Sequence, residues 1–242
     1  FQEFLLIPRE KRFSKAVTKN IKAHEFAKKL LHAKNVNDEG AWETDKTNEE
    51  ILKILEELSK EFKVSIGIDA AMSTFYHKGY YVYKNKELIR DKLDQIDYME
   101  NLIKKFNLFY VEDPMQEEDF LGFREILSGL RANNRKTLVV GDDLTVTSMK
   151  FLRRAVESQA INAVIIKPNQ IGSILDVKQV VQFCKQNKII MIFSHRSGET
   201  MDNALADYAV GFGADFIKTG IYGKERLIKL KRVIDIEKGL SL

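Results

Sequence analysis

Residues 137–143, Thr137-Leu138-Val139-Val140-Gly141-Asp142-Asp143, decide the reading of this chain: a short apolar run meets a glycine and then two acids. A run of about five residues rich in β-branched side chains suits a strand buried on both faces. The same pattern recurs along the sequence. Residues 64–68 lead to Asp69, residues 108–111 to Glu112-Asp113-Pro114, and residues 163–166 to Lys167. Residues 189–193 lead to Ser194-His195-Arg196-Ser197, and residues 215–217 to Lys218-Thr219-Gly220. Helical patterns fill the gaps. Ile51, Leu55, Leu58 and Phe62 share one face, with Thr47 and Glu50 as a capping box in front. Ile96, Met99, Ile103 and Phe106 form a second stripe, and Ile174, Val177, Val181 and Cys184 a third. Leu227, Leu230 and Ile234 form another after Gly223.

Strand and helix alternating in this way predict a parallel sheet with helical crossovers. Residues 4–8 read as a further strand and residues 34–37 as a weaker eighth. Eight strands in about 250 residues is the size of a TIM-type (β/α)8 barrel, so residues 1–242 are expected to form one such α/β domain. No Pro/Ser-rich linker or low-complexity tract interrupts it. With 44% hydrophobic and 31% charged residues the composition is globular, not disordered. The net charge of only +4, spread along the chain, speaks against nucleic acid as a partner. The single Cys184 excludes a disulfide framework or a Cys-rich zinc site and fits a reducing, cytoplasmic location. No apolar run is long enough to span a membrane, and no signal peptide is visible. Because the sequence starts at Phe1 and not Met, an upstream segment is expected.

A parallel barrel gathers the C-terminal ends of its strands on one rim, where barrel active sites sit. Three acids, two lysines, a histidine and an arginine are therefore expected at one mouth. A lone acid at a strand end is usually a helix cap or turn residue; six successive strands ending in polar or ionisable groups exceed what capping explains. Crowded carboxylates repel by several kcal/mol per pair at about 4 Å and intermediate dielectric. A bound divalent cation removes that cost, and all-oxygen ligation suits Mg2+ over Zn2+. Asp69, Glu112 and Asp142, from three successive strands, offer one octahedral site with open positions. Cationic neighbours disfavour a protonated amine, which suits Lys167 to the role of a base. Arg196 and Ser197 offer a guanidinium fork and a hydroxyl for a phosphate. Metal, base and phosphate clamp together point to proton abstraction next to a carboxylate on a phosphorylated acid.

Gly67-Ile68-Asp69-Ala70-Ala71, Val111-Glu112-Asp113-Pro114, Gly141-Asp142-Asp143-Leu144-Thr145-Val146-Thr147, Ile166-Lys167-Pro168-Asn169-Gln170-Ile171-Gly172-Ser173, Ser194-His195-Arg196-Ser197-Gly198-Glu199-Thr200 and Ile217-Lys218-Thr219-Gly220 occur in this order. The set closely resembles the enolase family, the phosphopyruvate hydratases, over nearly the whole chain. Phe1-Gln2-Glu3-Phe4 and Glu225-Arg226-Leu227 belong to the same likeness, and Lys167-Pro168 with Gly40-Ala41-Trp42 resembles its archaeal branch. The resemblance implies reversible dehydration of 2-phosphoglycerate to phosphoenolpyruvate. It implies that Asp69, Glu112 and Asp142 hold Mg2+, that Lys167 removes the C2 proton, and that Lys218 stabilises the resulting charge. It assigns Glu39 to protonation of the leaving hydroxide, Gln2 and Glu3 to the substrate or its water, and His195, Arg196 and Ser197 to the phosphate. It further implies an N-terminal α+β lobe, which this sequence does not include, and a homo-oligomer when full length.

Other residues read more plainly. Asp113 and Asp143 are expected to support or cap and not to ligate. Asn37 and Ala41 stand where the family has glycines, which bears on the freedom of the loop carrying Glu39. Met201 replaces an acid and is expected to be peripheral. His24, His32 and His77 are expected to be solvated, Cys184 to be core, and Lys28-Lys29 and residues 229–232 to be solvated helix faces. Rival readings are weaker. Gly211-Phe212-Gly213 precedes a strand and lacks the third glycine of a dinucleotide fingerprint. An enolase-like enzyme for an unphosphorylated acid conflicts with the 194–200 motif, and a catalytically weak binding or scaffold protein conflicts with the intact acids and lysine.

Overall fold

The computed structural model describes residues 1–83 and 88–240. Its strands are β1 (Glu3–Pro8), β2 (Val64–Asp69), β3 (Tyr76–His77), β4 (Tyr80–Tyr83), β5 (Leu88–Arg90), β6 (Tyr110–Glu112), β7 (Leu138–Gly141), β8 (Ala163–Ile166), β9 (Ile190–Ser194) and β10 (Phe216–Lys218). Its helices are α1 (Phe13–Leu31), α2 (Asn48–Phe62), α3 (Lys92–Phe106), α4 (Phe120–Ala132), α5 (Met149–Glu157), α6 (Pro168–Ile171), α7 (Ile174–Asn187), α8 (Ala204–Phe212) and α9 (Lys224–Gly239). They form two compact units. One comprises Phe1–Leu5 and Gly67–Met191, the other Leu6–Ile66 and Ile192–Leu242.

In the first unit the strand order β1-β2-β6-β7-β8 follows the sequence. The pairs from β2 to β8 are parallel, as the alternation of strands and helices requires. Helices α3, α4 and α5 make the returns. Met99, Ile103 and Phe106 of α3 and Phe123, Ile126 and Leu130 of α4 are buried, as are Val177, Val181 and Cys184 of α7. Ile174, expected on that last stripe, is instead 42% exposed because it opens the helix.

Five of the six expected strands reach one residue further than their apolar runs, four of them onto a polar side chain. Asp69 is the ladder partner of Glu112, and Lys218 that of Ser194. These polar residues therefore belong to the sheet and do not merely follow it. A parallel ladder fixes their backbones as firmly as it fixes the valines beside them.

The sequence reading left residues 76–90 unassigned. In the structure β3, β4 and β5 pair antiparallel. Lys78 and Gly79, with φ of 47° and 92°, make the two-residue turn between β3 and β4, and positive φ at both positions matches strand twist.

In the second unit β9 and β10 pair in parallel from Ile192–Phe216 to Ser194–Lys218. The expected capping box is present: Thr47 accepts from the Glu50 N–H while Glu50 accepts from the Thr47 N–H. Leu52, Leu55 and Leu58 are the buried residues of α2. Two expectations are corrected. Residues 34–37 form no ladder, since Val36 makes one isolated bridge to Trp42. Asn37 Oδ1 accepts from the N–H groups of Glu39 and Ala41 at 3.0 and 2.9 Å, and this side-chain turn captures backbone that a strand would need. On α9 the buried side is Arg226, Lys229, Leu230 and Val233, and Leu227 is 40% exposed.

Candidate active site

The first unit carries the acids. Asp69, Glu112 and Asp142 lie at the ends of β2, β6 and β7, all buried. Two residues apart on one strand face, Tyr110 donates its hydroxyl to Glu112 Oε2 at 2.5 Å. Asp113 braces the rim. Its carboxylate accepts from the N–H of Asp142 at 3.1 Å and of Asp143 at 2.7 Å, so the end of β6 holds the end of β7. It acts as the expected support for the Asp142 backbone.

The carboxylate oxygens of Asp113, Asp142 and Asp143 lie within 4.8 Å of one another. The expected trio Asp69, Glu112 and Asp142 is not among the acid groups that reach this spacing in the described residues. Asp69 still contributes to the same field. Burial first, then the charges of Asp142, Asp69 and Asp143, hold the Asp113 carboxyl well above the usual carboxylate range. Burial and Asp142 raise Asp143 as well, with the Lys167 charge opposing. An all-oxygen group with excess negative charge fits a hard divalent cation.

Lys167 reaches into this group. Its Nζ lies 2.5 Å from Asp142 Oδ2. Its N–H donates to Thr147 Oγ1 at 3.0 Å, and the Thr147 hydroxyl donates to Gln170 Oε1 at 3.1 Å. Thr147 therefore ties the base of Lys167 to α6. Val146 and Thr147 adopt φ of 43° and 55°, a left-handed conformation that β-branched residues rarely take and that costs about 1–3 kcal/mol each. The chain accepts that strain where it carries the lysine. Sequence reasoning singled out neither Tyr110 nor Thr147. Of the two N-terminal candidates in this unit, Glu3 is buried, while Gln2 is exposed and its N–H donates to Asp69 O at 3.0 Å.

The second unit carries Glu39, His195, Arg196, Ser197 and Lys218. The His195 N–H donates to Lys218 O at 2.9 Å, which extends the β9–β10 ladder. His195 Nε2 lies 3.8 Å from Glu39 Oε2. At Gly220 a Cβ would stand 2.8 Å from Arg226 Cδ and 3.2 Å from Glu39 O, with φ at +68°, so only glycine lets the Glu39 loop approach β10.

That loop is anchored. Besides the Asn37 turn, His24 Nε2 donates to Gly40 O at 2.9 Å. The His24 ring stacks on Trp42 at 4.7 Å and on Tyr222 at 5.8 Å. His24 was expected to be solvated; it is instead half-buried, and that burial lowers its pKa despite the bond to Gly40 and the charge of Glu25. His32 and His77 are exposed as expected. Asn37 fastens the loop.

Arg196 and Ser197 are exposed on the loop after β9. Behind them lies a second correction. Lys229, read as solvated, is 2% exposed, with its Nζ 2.6 Å from Glu199 Oε2 and donating to the carbonyls of Thr200 and Glu225. A buried ammonium with three partners needs no water. Gly213, from the rival glycine pattern, closes α8 at φ 70° and follows no strand. No described helix is long and apolar enough to cross a membrane.

The family described as "Enolase, C-terminal TIM barrel domain" matches residues 1–242. The enolase of Methanosphaera stadtmanae is 41% identical over 254 aligned residues, which cover 99% of this chain and 61% of that protein. The enolase of Picrophilus torridus is 38% identical, over 99% of this chain and 62% of that protein. The enolase of Archaeoglobus fulgidus is 38% identical, over 98% and 60%. The chain thus spans about three fifths of the length of these curated relatives.

Proposed function

Because the chain belongs to the enolase family, matching its C-terminal barrel domain throughout, we propose that it forms the catalytic barrel of a phosphopyruvate hydratase. The reaction is the reversible dehydration of 2-phosphoglycerate to phosphoenolpyruvate, a cytoplasmic step of glycolysis and gluconeogenesis. We read residues 1–242 as one TIM-type (β/α)8 domain of a homo-oligomeric protein; the parallel strand order in the first unit and the family match over residues 1–242 support this.

One observation carries the reading: the Lys167 ammonium lies 2.5 Å from Asp142, inside a group of buried acids at the strand ends. Asp69, Glu112 and Asp142 would hold Mg2+, which when bound supplies positive charge against the negative charge that builds on the substrate carboxylate. Lys167 Nζ, after it gives up the proton it holds against Asp142, takes the C2 proton as the neutral amine, its backbone fixed by Thr147. Lys218, in register with Ser194 on the β9–β10 ladder, supplies a second fixed cation. Glu39 gives a proton to the hydroxide leaving C3, so that water departs and the C2–C3 double bond forms. Arg196 and Ser197 bind the phosphate beside His195, and Gln2 and Glu3 orient the substrate or its water.

The test is phosphoenolpyruvate formation from 2-phosphoglycerate by the full-length protein, with Mg2+ and after its removal by chelation. Metal-dependent turnover that Lys167→Ala abolishes supports the reading. A folded protein that binds Mg2+ and phosphate without turnover would instead be a binding protein on an enolase scaffold.

A further inference from the structure

We propose that Lys229 and Arg226 of α9 are positioning residues that hold residues 196–200 in the shape needed to clamp a phosphate. The proposal rests on the assignment of Arg196 and Ser197 to the phosphate.

Residues 196–200 have no ladder of their own, so something else must fix them. Both side chains that do so come from one face of α9, three residues apart, where helical neighbours meet. Lys229 is 2% exposed and Arg226 3%. Arg226 Nη2 donates to Ser197 O at 3.2 Å. Lys229 Nζ binds Glu199 Oε2 at 2.6 Å and Thr200 O at 2.9 Å. Glu199 completes the bracket, because its Oε1 accepts from the Arg196 N–H at 3.0 Å. A buried cation on the helix thus fixes a carboxylate, and the carboxylate fixes the backbone of the residue whose guanidinium is exposed.

The electrostatics agree. Burial alone would raise the Glu199 carboxyl. The bonds from Lys229 and the Arg196 N–H, with the charges of Lys229 and His195, outweigh it and hold the group below its usual range. The ionised carboxylate is the form that can accept from both partners at once. Three positions of this loop, Ser197 O, Glu199 and Thr200 O, are thereby tied to one rigid helix. A phosphate site gains from such pre-set geometry, because ordering the loop at the moment of binding would cost affinity.

The experiment is a double-mutant cycle between Lys229→Met and Arg196→Ala, read as affinity for inorganic phosphate and as KM and kcat for 2-phosphoglycerate. Lys229→Met should raise both the phosphate Kd and KM at least tenfold, with a smaller change in kcat. Lys229→Arg should restore part of the loss. Adding Arg196→Ala to Lys229→Met should cost less than threefold more, since one residue acts through the other. Amide exchange at Arg196 should quicken in Lys229→Met and in Glu199→Gln. Should Lys229→Met fail to fold, Glu199→Gln, which keeps an acceptor oxygen and the side-chain size, takes its place in the cycle. Unchanged phosphate affinity in Lys229→Met, or full additivity with Arg196→Ala, overturns the proposal. A wild-type protein that binds phosphate through Arg196 yet turns over no 2-phosphoglycerate overturns the enzymatic assignment instead and leaves the positioning role standing on the phosphate cycle.

Discussion

Lys167 and Asp142 share one contact, 2.5 Å from Nζ to Oδ2, with their side chains only 16% and 12% exposed. Asp142 is also a proposed ligand of a divalent cation, so the ammonium and such an ion would meet on one carboxylate. Unit charges about 4 Å apart interact by roughly 4 kcal/mol at an effective dielectric of 20. Removing the like charge should therefore help the ion. Lys167→Met is expected to tighten Mg2+ binding by about tenfold while it abolishes C2 hydrogen exchange. Calorimetric titration with Mg2+ reads the first effect and solvent deuterium incorporation the second. Unchanged or weaker Mg2+ affinity would show that the two cations do not share Asp142.

The identity of the metal ligands is open to a direct contest between two acid sets. Saturating Mg2+ at about 100 times its Kd should stabilise the protein by about 2.7 kcal/mol. Glu112→Gln and Asp142→Asn are expected to erase most of that gain, and Asp143→Asn only a minor part, because Asp143 is exposed. Melting curves with and without Mg2+ decide it. The reverse ranking of Glu112→Gln and Asp143→Asn would move the ion to the Asp113, Asp142 and Asp143 group.

Thr147 offers a test of the scaffold behind the base. Its hydroxyl accepts from the Lys167 N–H and donates to Gln170. Thr147→Val keeps the shape and removes both bonds, and an orphaned buried donor costs about 1–3 kcal/mol. A fall in unfolding free energy of about 2 kcal/mol is expected, together with slower C2 exchange as Lys167 loses its fixed backbone. Denaturant midpoints and the exchange rate check both effects. A stability loss with exchange intact would confine Thr147 to a structural role.

The parallel order β2-β6-β7-β8 was legible because each apolar run is short, β-branched and followed by a polar group. The placement of the acids and Lys167 at the strand ends was legible for the same reason. What escaped the reading depends on contacts between segments far apart in sequence. Lys229 looks solvated beside Lys231 and Arg232 until Glu199 and the carbonyls of Thr200 and Glu225 meet it. His24 looks like a surface histidine until Trp42 and Tyr222 stack on it. Residues 34–37 read as a weaker strand around Val36, but Asn37 Oδ1 accepts from its own neighbours first. Helical periodicity could have flagged Lys229, since Arg226, Lys229, Leu230 and Val233 share one face; only the assumption that lysine belongs in water hid it.

The burial of His24 makes the loop that carries Glu39 sensitive to acid. Burial lowers the pKa of His24 first of all, and the bond to Gly40 and the nearby Glu25 recover only part of that shift. The folded state therefore prefers the neutral ring more than the unfolded chain does, whose histidine titrates near about 6.5. A group with a depressed folded pKa contributes stability that is fully present above the unfolded pKa and is lost as pH falls through the folded one. The protein should thus be more stable at about pH 7.5 than at about pH 5 on this account. His24→Gln should flatten part of that dependence, since glutamine keeps an N–H donor for Gly40 O but has no charge to gain. The lost stacking on Trp42 and Tyr222 should at the same time cost about 1 kcal/mol at either pH. Urea midpoints of both proteins across the range test the pH term, and the NMR titration of the His24 ring tests its cause. A His24 midpoint at or above that of an unfolded histidine, with the same pH slope in both proteins, would remove His24 as the source of acid sensitivity.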